Sequence, residues 1–256
     1  MNKTAIITGA TSGIGASFAK LLAFRCYDLI ITGRRKEKIQ KLADELSNKF
    51  NTKTEVIIAE LSNEKDITEL INQISKMGKI DVLINNAGYS IYKNYSDTTV
   101  TEIEKIVSVQ IVAVTKLISA VLPKMIKQGY GNIINVSSLG AILPIKKDAA
   151  YCGTKSFLNT FSESLYMEVK EKGIKVQALC PGFTKTDFHS KLKMNASERE
   201  NMGKFKLMSA NEVAEYSLES LKSNKVICIP GYRKRMIAKL ISILPKSFYY
   251  KMLEKY

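Results

Sequence analysis

Short apolar runs, rich in β-branched residues, recur along the chain at residues 5–8, 29–32, 56–59, 82–84, 133–136, 176–179 and 226–229. Each has the length and composition of a buried strand. Between them the apolar positions return every three or four residues, which predicts helices over 36–50, 67–77, 103–125 and 149–170. Ser209-Ala210-Asn211-Glu212 has the spacing of a capping box ahead of a further helix over 213–221. Strands alternating with helices predict an α/β fold, a parallel sheet covered on both faces. The 256 residues suit one domain with a substantial core, and no repeat or linker interrupts the pattern.

The first strand breaks into Gly9-Ala10-Thr11-Ser12-Gly13-Ile14-Gly15, followed by a helical pattern with Phe18, Ala19, Leu21 and Leu22 on one side. Strand, glycine turn and helix N-terminus together can hold an anion, because glycines admit a close phosphate and unpaired N–H groups point at it. The spacing G-x-x-x-G-x-G differs from the commoner dinucleotide pattern. Taken alone it is also compatible with an ordinary turn. A second cluster, Asn85-Asn86-Ala87-Gly88, directly follows the strand at 82–84 and argues against that plainer reading.

Tyr151 and Lys155 are four residues apart within the helix expected at 149–170, so their side chains share a face. Ser138 lies thirteen positions upstream. A free phenol titrates near ~10, and a fixed ammonium nearby favours the phenolate. Bringing it about three units toward neutrality takes ~4 kcal/mol, which is plausible only in a dry cleft.

In order and spacing, Thr8 to Gly15, Asn85 to Gly88, Ser138, Tyr151, Lys155 and Pro181-Gly182 resemble the short-chain dehydrogenase/reductase family over residues 4–231. The resemblance implies a Rossmann-type, doubly wound sheet of about seven strands that binds a nicotinamide cofactor. It also implies carbonyl–alcohol redox chemistry, with Tyr151 as proton donor, Ser138 orienting the substrate oxygen and Lys155 lowering the Tyr151 pKa while binding the ribose. The cofactor-binding set so implied is Gly9, Thr11, Ser12, Gly13, Ile14, Gly15, Arg34, Arg35, Glu60, Leu61, Asn86, Ala87, Gly88, Tyr151, Lys155, Pro181, Gly182 and Thr186. Asn86 to Gly88 would line the adenine-side ribose, and Thr186 would contact the carboxamide.

After the second strand comes Gly33-Arg34-Arg35-Lys36, with no acidic residue to hold ribose hydroxyls and repel a 2′-phosphate. Two guanidinium forks there favour NADP(H). The chain departs from the family at two places. Gln110 stands where the family has the asparagine of a water relay to the lysine, and Glu60 stands where aspartate is usual beside adenine. Gln110 keeps the amide, so it is counted with the catalytic residues.

Composition narrows the alternatives. The single histidine, His189 beside Phe188, disfavours His-based triads and most metal hydrolases. Cys26, Cys152, Cys180 and Cys228 contain no C-x-x-C pair and read as reduced thiols of a cytoplasmic protein, with no metal site. The net charge of +15 rests on 33 lysines and 6 arginines scattered over nearly every segment, so no nucleic-acid partner is expected. No apolar run reads as a membrane span. Leu139, Ile142, Leu143, Pro144, Phe183 and Phe188 would give the substrate site an apolar wall, and the Lys-rich stretch 187–207 fits a mobile lid.

Residues 232–256 form a basic extension of the domain at 1–231. Met236, Ile237, Leu240, Ile241 and Leu244 fall on one face of a helix over 236–244, with Arg233, Lys234 and Lys239 off it. Such a helix closes over the protein or a partner subunit, or lies peripherally on an anionic membrane. The expected partners are an apolar carbonyl or alcohol, 3-oxoacyl or otherwise lipid-like, and further copies of the chain in a homo-oligomer. The alternative is a catalytically impaired NADP-binding sensor or scaffold.

Overall fold

The computed structural model describes residues 2–186 and 207–254. Strands β1 (Lys3–Thr8), β2 (Tyr27–Gly33), β3 (Thr54–Ile58), β4 (Val82–Asn85), β5 (Gly131–Val136), β6 (Ile174–Leu179) and β9 (Ile227–Cys228) form one sheet. Its order is β3-β2-β1-β4-β5-β6-β9 and every pairing is parallel. The short strands β7 (Thr184–Lys185) and β8 (Met208–Ser209) pair separately. The chain starts mid-sheet, builds outward to β3, then returns past β1 to lay down β4. The switch point between β1 and β4 is where ligands bind in sheets of this kind.

Strand periodicity explains the solid apolar runs. Ile6, Leu83 and Ile133 enter one core, while their neighbours Ile7, Ile84 and Ile134 enter the other. The first core is closed by α3 (Glu64–Lys76), α5 (Ala113–Gln128) and α6 (Ala149–Val169). The second is closed by α1 (Gly13–Phe24), α2 (Lys36–Phe50) and α7 (Ala210–Ser220). The capping box read in the sequence is formed, with Ser209 Oγ accepting from the Glu212 N–H and the Glu212 carboxylate accepting from the Ser209 N–H.

The helix expected over 103–125 differs in two ways. It begins earlier, as α4 (Val100–Val107), because Thr99 and Glu102 form a second capping box. It also widens into a π-turn at Ser108–Val112 before continuing as α5. Apolar spacing does not register one extra residue in a turn. By length and composition Val100–Gln128 could cross a membrane, contrary to expectation. Its Ile106, Val109, Leu117 and Val121 are buried, however, and it packs as a core helix.

The extension forms α8 (Tyr232–Ile243) and α9 (Lys246–Glu254). The fold covers the apolar face of this extension only in part. Met236, Ile237 and Leu240 of that face are 47%, 43% and 61% exposed and Ile241 and Leu244 are half-buried, while Ile243, off the face, is 73% exposed and Ala238 is the buried residue of α8. Polar ties fix this orientation: Arg235 donates to the Tyr216 hydroxyl at 2.7 Å and Lys234 Nζ to Phe183 O at 3.3 Å. In the same extension the buried Tyr249 donates its hydroxyl proton to Pro144 O at 3.0 Å.

Candidate active site

The glycine loop is shaped by close approach. Gly9 has φ of +66°, and a Cβ there would meet Ala87 Cα at 2.8 Å. A Cβ on Gly15 would collide with the Asn86 amide, and one on Gly13 (φ +58°) would press on Thr186 Cγ2 at 3.1 Å. The loop after β4 is tied down by side chains. Thr8 Oγ1 accepts from the N–H groups of Asn86 and Ala87 at 3.0 and 3.1 Å. Asn86 Nδ2 donates to Thr8 O and Gly9 O at 2.9 and 3.0 Å. The Asn86 amide N–H groups thus hold the two loops together, and it is the segment Asn86 to Gly88 that stands beside the glycine loop. Ser12 is the N-cap of α1, yet its hydroxyl makes no capping bond, leaving the first-turn N–H groups uncapped by it.

Beyond the ends of β2 and β3 lies a cleft of about 350 Å³, bordered by Arg34, Glu60, Ser62, Asn63, Tyr89 and Lys105. The two arginines occupy different places. Arg35 Nη2 donates to Thr11 Oγ1 at 2.6 Å and Ser12 Oγ at 2.8 Å, which places its guanidinium against the glycine loop. Arg34 Nη1 instead pairs with Glu60 Oε2 at 2.9 Å, while its side chain stays 64% exposed. Burial pushes the Glu60 carboxyl up, but hydrogen bonds from Arg34 and Ser62 outweigh this and hold it below the usual range. The Leu61 side chain belongs to the core, so only its backbone could meet a ligand. Lys105 was not found from the sequence because a lone lysine in a Lys-rich helix carries no signal.

At the other end the catalytic group is assembled from three elements. Ser138 follows β5, and its Oγ accepts from the Gly140 N–H at 3.0 Å, turning the chain toward α6. The Tyr151 hydroxyl is hydrogen-bonded to Ser138. Lys155, only 4% exposed, places Nζ 5.5 Å from the centroid of the Tyr151 ring and donates to Val136 O at 2.9 Å. The juxtaposition read from i and i+4 is present. The electrostatics differ from expectation in the ligand-free protein: burial pushes the Tyr151 phenol well above its ordinary range, with the Asp148 charge adding to it, while the Ser138 hydrogen bond works against this. Burial also lowers Lys155 to about 7, which weakens its field on the phenol.

Gln110 reaches this group from the π-turn. It is fully buried, donates Nε2 to Tyr89 O at 3.2 Å, and leaves Oε1 without a hydrogen-bond partner. A Cβ on Gly88 would lie 2.8 Å from that oxygen and 3.3 Å from Lys155 Nζ. The structure thus brings Ser138, Tyr151, Lys155 and Gln110 together. Pro181 O accepts from the Leu139 N–H at 2.8 Å, joining the Pro-Gly turn to the Ser138 loop. Leu139, Ile142 and Leu143, in and just after the short turn that packs on α6, and Phe183, after the Pro-Gly turn, are half-buried. Phe188, His189 and the stretch 187–206 lie outside the described residues.

Sequence reasoning missed a buried polar chain behind the site. Asn85 Nδ2 donates to Asn135 Oδ1 and Asn135 Nδ2 to Ser162 Oγ, both at 2.9 Å. Ser137 Oγ donates to Lys155 O at 3.0 Å. Polar residues inside apolar strand runs, such as Asn135, were the available signal. Asp148 was also missed, although an aspartate just before a predicted helix marks a cap position.

The sequence profile of the short chain dehydrogenase family matches residues 3–197. A very-long-chain 3-oxoacyl-CoA reductase of Anas platyrhynchos is 35% identical over 186 residues, covering 71% of this chain and 60% of that protein. An uncharacterized oxidoreductase of Staphylococcus saprophyticus is 29% identical over 222 residues, 86% of this chain and 92% of the relative. Among solved structures, a short-chain dehydrogenase from Sphingobium yanoikuyae in complex with NADPH superposes with a TM-score of 0.84 at 28% identity, covering 95% of this chain and 96% of that one. With the family profile matching about three quarters of its length, this chain belongs to the short-chain dehydrogenase family and is an NAD(P)-dependent oxidoreductase acting on CH–OH groups.

Proposed function

We propose that the protein is an NADPH-dependent reductase of a carbonyl on an apolar, lipid-like substrate of the 3-oxoacyl kind. The observation that carries this reading is the placement of two features at opposite ends of the sheet's switch point. Arg34 and Arg35 stand beyond β2, while Ser138, Tyr151 and Lys155 stand beyond β5 beside half-buried Leu139, Ile142 and Leu143. The glycine cradle and the uncapped start of α1 suit a dinucleotide's pyrophosphate. When bound, the nicotinamide supplies hydride to the carbonyl carbon.

The chain's own residues handle the proton and the geometry. The Ser138 hydroxyl donates to the substrate oxygen and fixes its direction. Tyr151 gives that oxygen its phenolic proton in reduction and recovers one in oxidation. Lys155, beneath the ring, carries the charge that offsets the developing phenolate, and the Gln110 amide oxygen offers an acceptor on the route by which the proton is replaced. The apolar wall excludes water from the reacting carbon. The 3-oxoacyl class is supported by the name of the duck relative and by this wall.

The C-terminal pair supports a peripheral position on a lipid surface. Its outward apolar residues on α8 are accompanied by exposed Arg233, Lys239, Lys246 and Lys251, a pattern that suits anionic headgroups. Lys234 and Tyr249 tie the same pair to Phe183 O, after the Pro-Gly turn, and to Pro144 O, in the segment between Ser138 and Tyr151, which keeps the extension close in the fold to the catalytic loops. A second copy of the chain in a homo-oligomer is the competing occupant of that face.

The deciding experiment follows NADPH oxidation against a panel of carbonyl compounds of increasing chain length. Turnover that rises with chain length is expected, and Tyr151→Phe should lower it by roughly 10²–10⁴-fold while NADPH still binds. A Tyr151→Phe protein as active as the unmodified one would refute the mechanism.

A further inference from the structure

Asp148 occupies the N-cap position of the catalytic helix α6 but does not cap it. An aspartate at this place ordinarily accepts from the N–H groups of the first turn. Here the carboxylate faces the other way, toward the loop after β4. It accepts from Ser90 Oγ at 2.5 Å and from the Tyr92 N–H. The side chain is 6% exposed.

Two further observations show that the fold is arranged around this tie. Both flanking attachments adopt left-handed backbone with a non-glycine residue: Lys147 at φ +63° and Tyr92 at φ +48°. Neither conformation is one a free loop would choose, so the surrounding contacts impose it. The loop that Asp148 grips is also the one that holds Gln110. Tyr89 O accepts from Gln110 Nε2, Ser90 bonds Asp148, and three residues later α6 presents Tyr151. A closed circuit results, running from the π-turn through Tyr89 and Ser90 to Asp148, and back through α6 to Lys155 beside Gly88.

We propose that Asp148 is a positioning residue for the reaction: its carboxylate ties the loop after β4 to the first turn of α6 and so sets Tyr151 and Gln110 in register. The inference rests on the reductase reading given above. It assigns Asp148 no contact with substrate or cofactor. The titratable groups around the tie are Tyr151 and Cys152 on α6, both of which feel the Asp148 charge, with Tyr92 and Lys147 at its edge. The Lys147 ammonium sits 5.9 Å from the Tyr92 ring centroid. Burial raises the Asp148 carboxyl to about 6, against the pull of its two hydrogen bonds. The anionic, doubly accepting form is therefore the one present above that pH.

The test compares the unmodified protein with Asp148→Asn, Ser90→Ala and the double variant. Asparagine preserves shape but removes the negative charge and one of the two acceptor oxygens that Ser90 Oγ–H and the Tyr92 N–H use. Amide hydrogen exchange at pH 8 is the readout that does not depend on turnover. Asp148→Asn should speed exchange at residues 89–94 and in the first turn of α6, and leave the sheet unchanged. In NADPH oxidation kcat should fall about tenfold, as expected for a misplaced proton donor, with NADPH affinity kept. The acid limb of the pH profile near 6 should disappear. Ser90→Ala should reproduce the exchange change, and the double variant should be no worse than either single one. Unchanged local exchange, or additive effects of the two substitutions, would overturn the proposal. Absence of turnover in the unmodified protein would strike the reductase reading instead, leaving the exchange data to decide this one.

Discussion

Gln110 and Lys155 converge over the α-carbon of Gly88 from opposite elements, one from a π-turn and the other from the second turn of α6. A methyl group on that glycine would find the amide oxygen at 2.8 Å and Nζ at 3.3 Å. The amide oxygen is buried without a hydrogen-bond partner. A buried acceptor left unsatisfied costs about 1–3 kcal/mol, so this one invites a bridging water or the lysine itself.

The first prediction follows from that meeting point. Gln110→Leu should lower kcat by roughly tenfold or more, within the range of a proton-transfer contribution, whereas Gln110→Asn should retain most activity. Steady-state kinetics at saturating NADPH would check it. Equal activity in all three proteins would remove Gln110 from the relay.

Lys155 makes a prediction about stability without cofactor. Burial lowers its pKa from 10.5 to about 7. Between those values the unfolded chain carries a proton on this lysine and the folded one does not. Stability should therefore rise with pH from about 7 to about 10.5, and the contribution is lost below 7, where the buried ammonium must be charged. Thermal melts of the ligand-free protein should show this slope, and Lys155→Met should flatten it. An identical slope in the variant would place the effect elsewhere.

Cofactor choice turns on the Arg34–Glu60 pair. Arg34 is well exposed and Glu60 half-buried; a pair open to solvent on one side contributes about 0–1 kcal/mol, so a 2′-phosphate should displace Glu60 readily. Arg35→Ala should weaken NADPH binding, since a charged hydrogen bond is worth about 1.5–3 kcal/mol, and Glu60→Gln should strengthen it by freeing Arg34. Titrations of NADPH and NADH would check both, and equal affinities for the two in the unmodified protein would refute the assignment.

The tail prediction uses vesicles. Full-length protein should sediment with anionic phospholipid vesicles at low salt and release as salt rises. Leu240→Ser with Ile243→Ser should abolish sedimentation without changing the melting temperature, because both side chains face outward. Absence of vesicle binding, with a change of oligomer size in the double variant, would assign the face to a second copy.

The seven strands and most helices were legible because burial on both faces leaves continuous apolar runs, as at residues 82–84 and 133–136. The family motifs located Ser138, Tyr151 and Lys155. The sequence did not disclose which way groups are spent. Asn86 and Arg34 have the right identities, yet each is engaged by a partner distant in sequence, Thr8 and Gly9 for one and Glu60 for the other. The π-turn at Gln110 was invisible because apolar periodicity tolerates one added residue. The outward face of α8 was undecided because amphipathicity gives a stripe and not its direction.

The bond from Asn86 to Thr8 spans 78 positions of chain, and this dictates when the nucleotide site comes into being. β1 and β2 can pair as soon as the first 33 residues have collapsed, but the cradle requires β4 to dock beside β1 across that long loop. Such non-local pairing is the slow part of assembly. A nucleotide can therefore recognise only a chain that has already completed its slowest step. It should leave the refolding rate nearly unchanged and lengthen the lifetime of the folded state.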